Sequence, residues 1–263
     1  MQMNIRKGAA DMGKILLEVC CGSADDVIEA HRGGADRAEL NCDLFHGGLT
    51  PTLGSLLVAK RETSMKVIAM VRPREGGFCY TPAEFAAAVE DAGLLLDHGA
   101  DGLAFGFLHE DGTVDAQRTG VLAELCRERG RECVFHRAID VTPDWREALD
   151  ALIGLGVTRV LTSGQQASVP LGADTIRRMV EYAAGRIEIL PGGGVNARNL
   201  EWVAAQTGCT QLHMSGHAVR NDPSARNDRG IHYGGCLYPP EDSYKVVDGA
   251  YISGVAAALK NKA

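Results

Sequence analysis

Short apolar runs alternate with helical patterns from one end of the chain to the other. The runs are ILLEVC (15–20), RAELNC (37–42), KVIAMVRPR (66–74) and GLAFGFL (102–108), then ECVFHRAI (132–139), RVLTSG (159–164), IEILPGGG (187–194) and QLHMSG (211–216). Each has the length of a strand and the set is nearly apolar, which predicts eight buried strands. The segments between them repeat apolar residues at helical spacing. In TPAEFAAAVEDAGLLLDHG (81–99), Thr81 is placed to cap a helix and Pro82 sits in its first turn. In SADDVIEAHRGG (23–34), Ser23 is the cap, and Asp25 and Asp26 suit the positive end of the helix.

A weak repeat organises these units. GADRAEL (34–40), GADGLAF (99–105), GVTRVLT (156–162) and GCTQLHM (208–214) share one grammar: a helix-ending Gly, a small or β-branched residue, Asp or Thr, then a strand. They fall at strands two, four, six and eight. Strict βα alternation implies a parallel sheet, and eight such units predict a closed TIM (β/α)8 barrel, a single α/β domain over residues 15–263. The glycine-rich turn follows the seventh strand rather than the first, which argues against a dinucleotide-binding fold. Residues 1–14 read as a frayed leader. Residues 217–248 read as an irregular excursion, and GAYISGVAAALKNK (249–262) as a closing helix.

Composition narrows the function. With 263 residues, 45% hydrophobic and 23% charged, the chain can bury a large core. A net charge of −7 and 5% aromatics argue against a nucleic-acid partner. No apolar stretch approaches the roughly 20 residues of a membrane span, and the polar start lacks a signal-peptide core. The expectation is a cytoplasmic protein without a membrane partner. The eight cysteines form no CxxC pair, so most are expected to be free thiols, with two or three available as ligands.

Barrel chemistry sits at the C-terminal strand ends. Polar residues gather there: Glu18 and Cys20, Glu39 and Asn41, Arg72 and Arg74, His136, Arg137 and Asp140, Thr162 and Ser163, His213 and Ser215. One reading is structural, with Glu18 or Glu39 pairing with Arg72 or Arg74 inside the barrel. The other is a pocket, because six of eight strand ends carry such groups. Glu18, Glu39, His136, Asp140 and His213 are then the acid–base candidates. Arg72, Arg74, Arg137, Ser163, Gly192, Gly193, Gly194, Ser215 and Gly216 are the candidates for holding a small anionic metabolite. The glycines would use backbone N–H groups, and Arg220 or Arg226 would add charge. Glu18, Glu39, His136 and His213 also make a candidate divalent-metal set, and Cys20, Cys21, Cys42 and Cys79 offer soft thiolates suited to Cu(I).

At these residues the sequence resembles the CutC family, named for copper homeostasis. The resemblance covers about residues 15–260. It rests on LLEVC (16–20), GGADRAEL (33–40), GGLTPT (47–52), MVRPREGGF (70–78), DGLAFGFLHEDGTVD (101–115), FHRAID (135–140), RVLTSG (159–164), PGGGVNARNL (191–200) and LHMSG (212–216). It implies a TIM barrel, a cytosolic homodimer or higher homo-oligomer, and a role in copper tolerance or Cu(I) binding with Cys20 as one ligand. Two positions depart from the family pattern. Asn41 stands where a second cysteine is common, with Cys42 offset by one, and Gly77 stands where an Asp is favoured. The expectations are therefore a copper-binding protein using Cys20 with Cys42 or a His, or an enzyme (isomerase, lyase or hydrolase) acting on a small phosphorylated or carboxylated metabolite.

Overall fold

Each apolar run becomes one parallel strand, and each helical pattern packs a helix over it. The computed structural model describes residues 15–226, 231 and 242–260. In chain order the elements are β1 (Leu16–Cys21), α1 (Ala24–Arg32), β2 (Arg37–Leu40), α2 (Leu53–Glu62), β3 (Lys66–Met70), α3 (Pro82–Asp97), β4 (Gly102–Phe105) and α4 (Ala116–Glu128). They continue with β5 (Glu132–Phe135), α5 (Trp145–Gly154), β6 (Arg159–Thr162), α6 (Val169–Ala183), β7 (Glu188–Pro191), α7 (Leu200–Thr207) and β8 (Gln211–Met214). Consecutive strands pair in parallel from β1 to β7, and β8 pairs with β1. A parallel bridge between Gly192 and His213 joins the last two strands and closes the TIM barrel. The expected leader, residues 1–14, lies outside the described residues.

The repeat has a physical meaning. Its glycines Gly34, Gly99, Gly156 and Gly208 all end helices at positive φ, between 72° and 102°. The Asp or Thr two residues later binds the neighbouring strand. Asp36 accepts from Leu17 N at 3.0 Å, Asp101 from Val67 N at 2.8 Å, and the Thr158 hydroxyl from Cys133 N at 3.1 Å. The caps also form as the sequence predicts. Ser23 accepts from Asp26 N, and Thr81 and Glu84 bond each other's backbone N–H in a capping box.

The strands are shorter than the apolar runs. Their C-terminal ends leave the ladder where Pro, Gly and polar residues begin, and residues Arg137–Val141 form a short 3-10 turn. The excursion after β8 is more regular than its composition suggests. Its described parts, β9 (His217–Asn221) and β10 (Ser243–Val247), pair as an antiparallel ribbon. Asp26 pins that ribbon to the barrel: its carboxylate accepts from Val247 N at 2.7 Å and Gly22 N at 2.8 Å. The chain then enters α8 (Gly249–Lys260), which packs on α1. Among the described residues, no helix is long and apolar enough to cross a membrane.

The barrel interior is divided. Ile68, Met70, Ala104, Val134, Leu161 and Leu190, from β3 to β7, form a separate apolar cluster inside the barrel. The remaining third, from β8, β1 and β2, is polar: Gln211 and His213, Glu18 and Cys20, Arg37 and Glu39. At the N-terminal pole these charges are matched. Gln211 accepts from Arg37 at 2.8 Å and donates to Glu188 at 3.0 Å, and Arg159 binds Glu188 at 2.7 Å and Glu132 at 3.0 Å. A cavity of about 610 Å³ opens at this pole, lined by paired groups.

One close approach positions the loop after β6. An added Cβ at Gly172 in α6 would lie 1.9 Å from the Ser163 carbonyl oxygen, so only glycine lets the helix touch that turn. Gly172→Ala is expected to lower unfolding free energy by about 2–3 kcal/mol in chemical denaturation. A change within about 0.5 kcal/mol, the range of ordinary surface substitutions, contradicts the contact.

Candidate functional site

The C-terminal mouth holds a second cavity, of about 440 Å³. Its floor is built from side chains two residues apart on β1 and β2, which share the inward face. Glu18 lies deepest. One of its oxygens accepts a hydrogen bond and ion pair from Arg37 Nε. The other is 2.7 Å from His213 Nδ1. Burial opposes the charge on Glu18, but the His213 hydrogen bond and the Arg37 charge outweigh it and hold the carboxyl down at about 2. An ionised carboxylate only accepts, so His213 Nδ1 carries a proton and Nε2 faces the floor of the cavity.

There His213 meets Cys20 and Glu39. The ligating atoms of these three residues all lie within 4.8 Å of one another. Glu39 Oε2 is 4.0 Å from His213 Nε2 and 3.8 Å from Cys20 Sγ, and accepts from Asn41 Nδ2 at 3.0 Å. Burial and the Glu18 charge push the Glu39 carboxyl up, partly offset by His213. Burial pushes the Cys20 thiol up as well. Burial works against a charged His213, yet the Glu39 and Glu18 carboxylates and the Cys20 sulfur raise it well above its ordinary value.

The opposite wall carries Arg72, from the end of β3, and His136, from the end of β5. His136 Nδ1 accepts from Ala138 N at 3.2 Å, so Nε2 holds the proton, and no acceptor faces it. Burial and the nearby Arg72 charge lower His136 to about 3, so the ring is neutral. His136 is therefore placed as a hydrogen-bond donor rather than as the base expected from its sequence position.

Cys20, Glu39, Arg72, His136, Arg137, Asp140, Gly192, Gly193, Gly194, His213 and Ser215 all border this cavity. Other expected site residues have partners of their own. Glu18 pairs with Arg37, not Arg72 or Arg74, and lies beneath the cavity as a support for His213. Asp140 has no free valence for proton transfer: Arg137 Nε, the Thr162 hydroxyl, Ser163 N and Oγ, and Gln165 N all bond to it. The single Ser163 hydroxyl proton is shared between Asp140 Oδ2 at 2.9 Å and the Gln166 carbonyl at 2.5 Å, and its oxygen accepts from Arg137 Nη2 at 2.8 Å. Arg74 binds Glu84 at 2.7 Å and the carbonyls of Glu75, Gly77 and Cys79, so it ties its own loop together. Gly216 packs beneath Tyr251 and Ile252 of α8.

The thiols separate in the same way. Cys42 is not brought to Cys20; its Sγ donates to the Thr50 carbonyl at 3.0 Å, as the one-residue offset requires. Cys21 is buried on the outer face of β1, and Cys79 is exposed. Arg220 pairs with Asp25 at 3.9 Å and Arg226 with Asp242 at 3.4 Å, outside the cavity. Sequence reasoning missed Arg37. Its signal was the alternation Arg37, Glu39, Asn41, which puts all three on one face.

His136 gives a pH signature. Its folded value of about 3 lies below the unfolded 6.5, so the unfolded chain binds the extra proton between these values. The contribution is full above pH 6.5 and is lost as pH falls toward 3, by roughly 4–5 kcal/mol at most. Urea denaturation across this window is expected to show a flatter slope in His136→Asn than in the natural chain; equal slopes contradict the buried neutral ring.

Comparison with known proteins agrees with this architecture. The CutC family model matches residues 15–218. A "family protein CutC" of Treponema denticola is 52% identical over 235 residues, 89% of this chain and 95% of that protein. The human "copper homeostasis protein cutC homolog" is 39% identical over 256 residues, 97% of this chain and 92% of that protein. The crystal structure of a CutC from Streptococcus agalactiae superposes with a TM-score of 0.72 at 33% identity, covering 76% of this chain and 98% of that one. An N-(5'-phosphoribosyl)anthranilate isomerase from Pyrococcus furiosus shares the fold alone, with a TM-score of 0.52 at 15% identity over 94% of this chain and 99% of that one. The chain belongs to the CutC family.

Proposed function

We propose that the protein takes part in copper homeostasis by binding a copper ion at Cys20, Glu39 and His213. The observation that carries the reading is the meeting of a thiol, a carboxylate and an imidazole within 4.8 Å at the floor of an open cavity. The support beneath them fits a metal ligand. Glu18 fixes His213 by its Nδ1, the carboxylate–histidine arrangement that orients metal-binding imidazoles. The donor set pairs Cys20 with a His rather than with Cys42, and adds Glu39. One sulfur, one nitrogen and one hard oxygen make a borderline donor set, less selective for soft Cu(I) than a two-thiolate site and open also to Cu(II) or Zn(II).

Metal titration of the reduced full-length protein under anaerobic conditions, with Cu(I) and separately with Zn(II), tests this. Cys20→Ala and His213→Ala are expected to weaken binding at least tenfold, while Cys42→Ala binds as the natural chain does. Unchanged affinity in Cys20→Ala overturns the proposal.

A second reading draws on cavity size. About 440 Å³ is far more than one ion needs and matches the space of a small organic ligand. In this reading the protein is an enzyme on a small metabolite, with Glu39 and His213 moving protons. A thermal-shift screen of metabolites tests it, since a ligand that binds only the folded state raises the melting temperature. Absence of any stabilising metabolite contradicts this reading and leaves the metal site standing.

A further inference from the structure

Three arginines are buried in the described residues: Arg37, Arg72 and Arg159. Arg37 is neutralised by Glu18, and Arg159 by Glu132 and Glu188. Arg72 has no carboxylate partner within ion-pair distance among the described residues. Its guanidinium donates to carbonyls, His46 O at 3.0 Å, Gly48 O at 3.1 Å and Gly76 O at 2.9 Å, and the neutral Tyr80 hydroxyl lies beside it. Its Nε makes no hydrogen bond among the described residues. Those carbonyls fix the group in place but do not cancel its charge. A buried cation without a counter-charge is costly, and a bound anion removes that cost.

A second orphan stands beside it. His136 is 4% exposed, and its Nε2–H lacks an acceptor among the described residues. Phe78 lies against both groups, with its ring 4.9 Å from the His136 ring and 5.5 Å from the Arg72 guanidinium carbon. That contact shields the donors from water and strengthens any hydrogen bond they make. Across the cavity the chain turns at Gly193 and Gly194, with φ of 111° and 80°. The Gly192 N–H is already taken by the Thr162 carbonyl at 2.9 Å. No described acceptor bonds the N–H groups of Gly193 and Gly194.

We propose that this wall of the cavity is a subsite for the oxyanion of a small organic ligand, with Arg72 supplying the counter-charge and His136 a neutral hydrogen-bond donor. Gly193 and Gly194 offer further N–H groups from the facing loop. The ligand's charge is small, because Glu39 and Asp140 border the same cavity. A carboxylate fits this field better than a phosphate dianion. The inference names the charged end of the metabolite in the second reading above, and is independent of the metal site.

The test is calorimetric titration of the full-length protein with acetate and with inorganic phosphate. ¹⁵N spectra of the histidines are followed in parallel. Saturable binding is expected, with acetate preferred, a shift at His136 Nε2, and at least a tenfold loss of affinity in Arg72→Gln. Arg72 also ties loops together, so His136→Asn serves as the second variant, with the same direction of loss. The titrations are run with a metal chelator present, so binding that persists there does not depend on the metal ligands. A tighter phosphate than acetate complex still supports the oxyanion subsite and assigns its ligand to the phosphorylated class. No saturable binding of either anion, or affinities unchanged in both wall variants, overturns the proposal.

Discussion

One carboxylate holds a guanidinium and an imidazole inside the barrel. Glu18 takes Arg37 on one oxygen and His213 on the other, and all three side chains are buried. Removing one partner of a buried pair typically costs about 3–5 kcal/mol, because the remaining charge is stranded. Here the same residue also determines which way His213 faces, and Gly192 pairs with His213 where the barrel closes. The polar third of the interior therefore depends on Glu18 both for its charge balance and for its geometry.

The two poles of the barrel differ in how their charges are spent. At the N-terminal pole Arg37, Arg159, Glu132, Glu188 and Gln211 bind one another, so the larger cavity there is lined by satisfied groups. At the C-terminal pole several groups remain unspent: the Arg72 charge, the His136 Nε2–H, and the cluster of Cys20, Glu39 and His213. Stability accounts for the first pattern. The second is what the proposed metal and anion sites explain, and it lies at the pole where barrels carry their chemistry.

Much of this was legible in the residues. Eight apolar runs, helix caps and the Gly–x–Asp/Thr repeat predict the barrel, because local periodicity and turn chemistry act along the chain. The mouth was legible too, since polar residues lie at six of the eight strand ends. Partner choice was not. Arg74 and Arg72 look alike in sequence, yet one is consumed by Glu84 and its own loop and the other keeps its charge. Asp140 looks like an acid–base residue until five donors are found on it. Cys42 looks like a second ligand, yet its one-residue offset turns the thiol to the Thr50 carbonyl. Pairings between residues nearly 200 positions apart, such as Glu18 with His213, depend on barrel closure and leave no local trace.

The most direct measurement is the ¹⁵N titration of His213 in the natural chain. Support by Glu18 and Glu39 predicts that the ring keeps its Nδ1 proton and titrates well above its ordinary 6.5. In Glu18→Gln the value is predicted to fall. A His213 that titrates near 6.5 in the natural chain, or that holds its neutral-form proton on Nε2, contradicts the arrangement on which the proposed site rests.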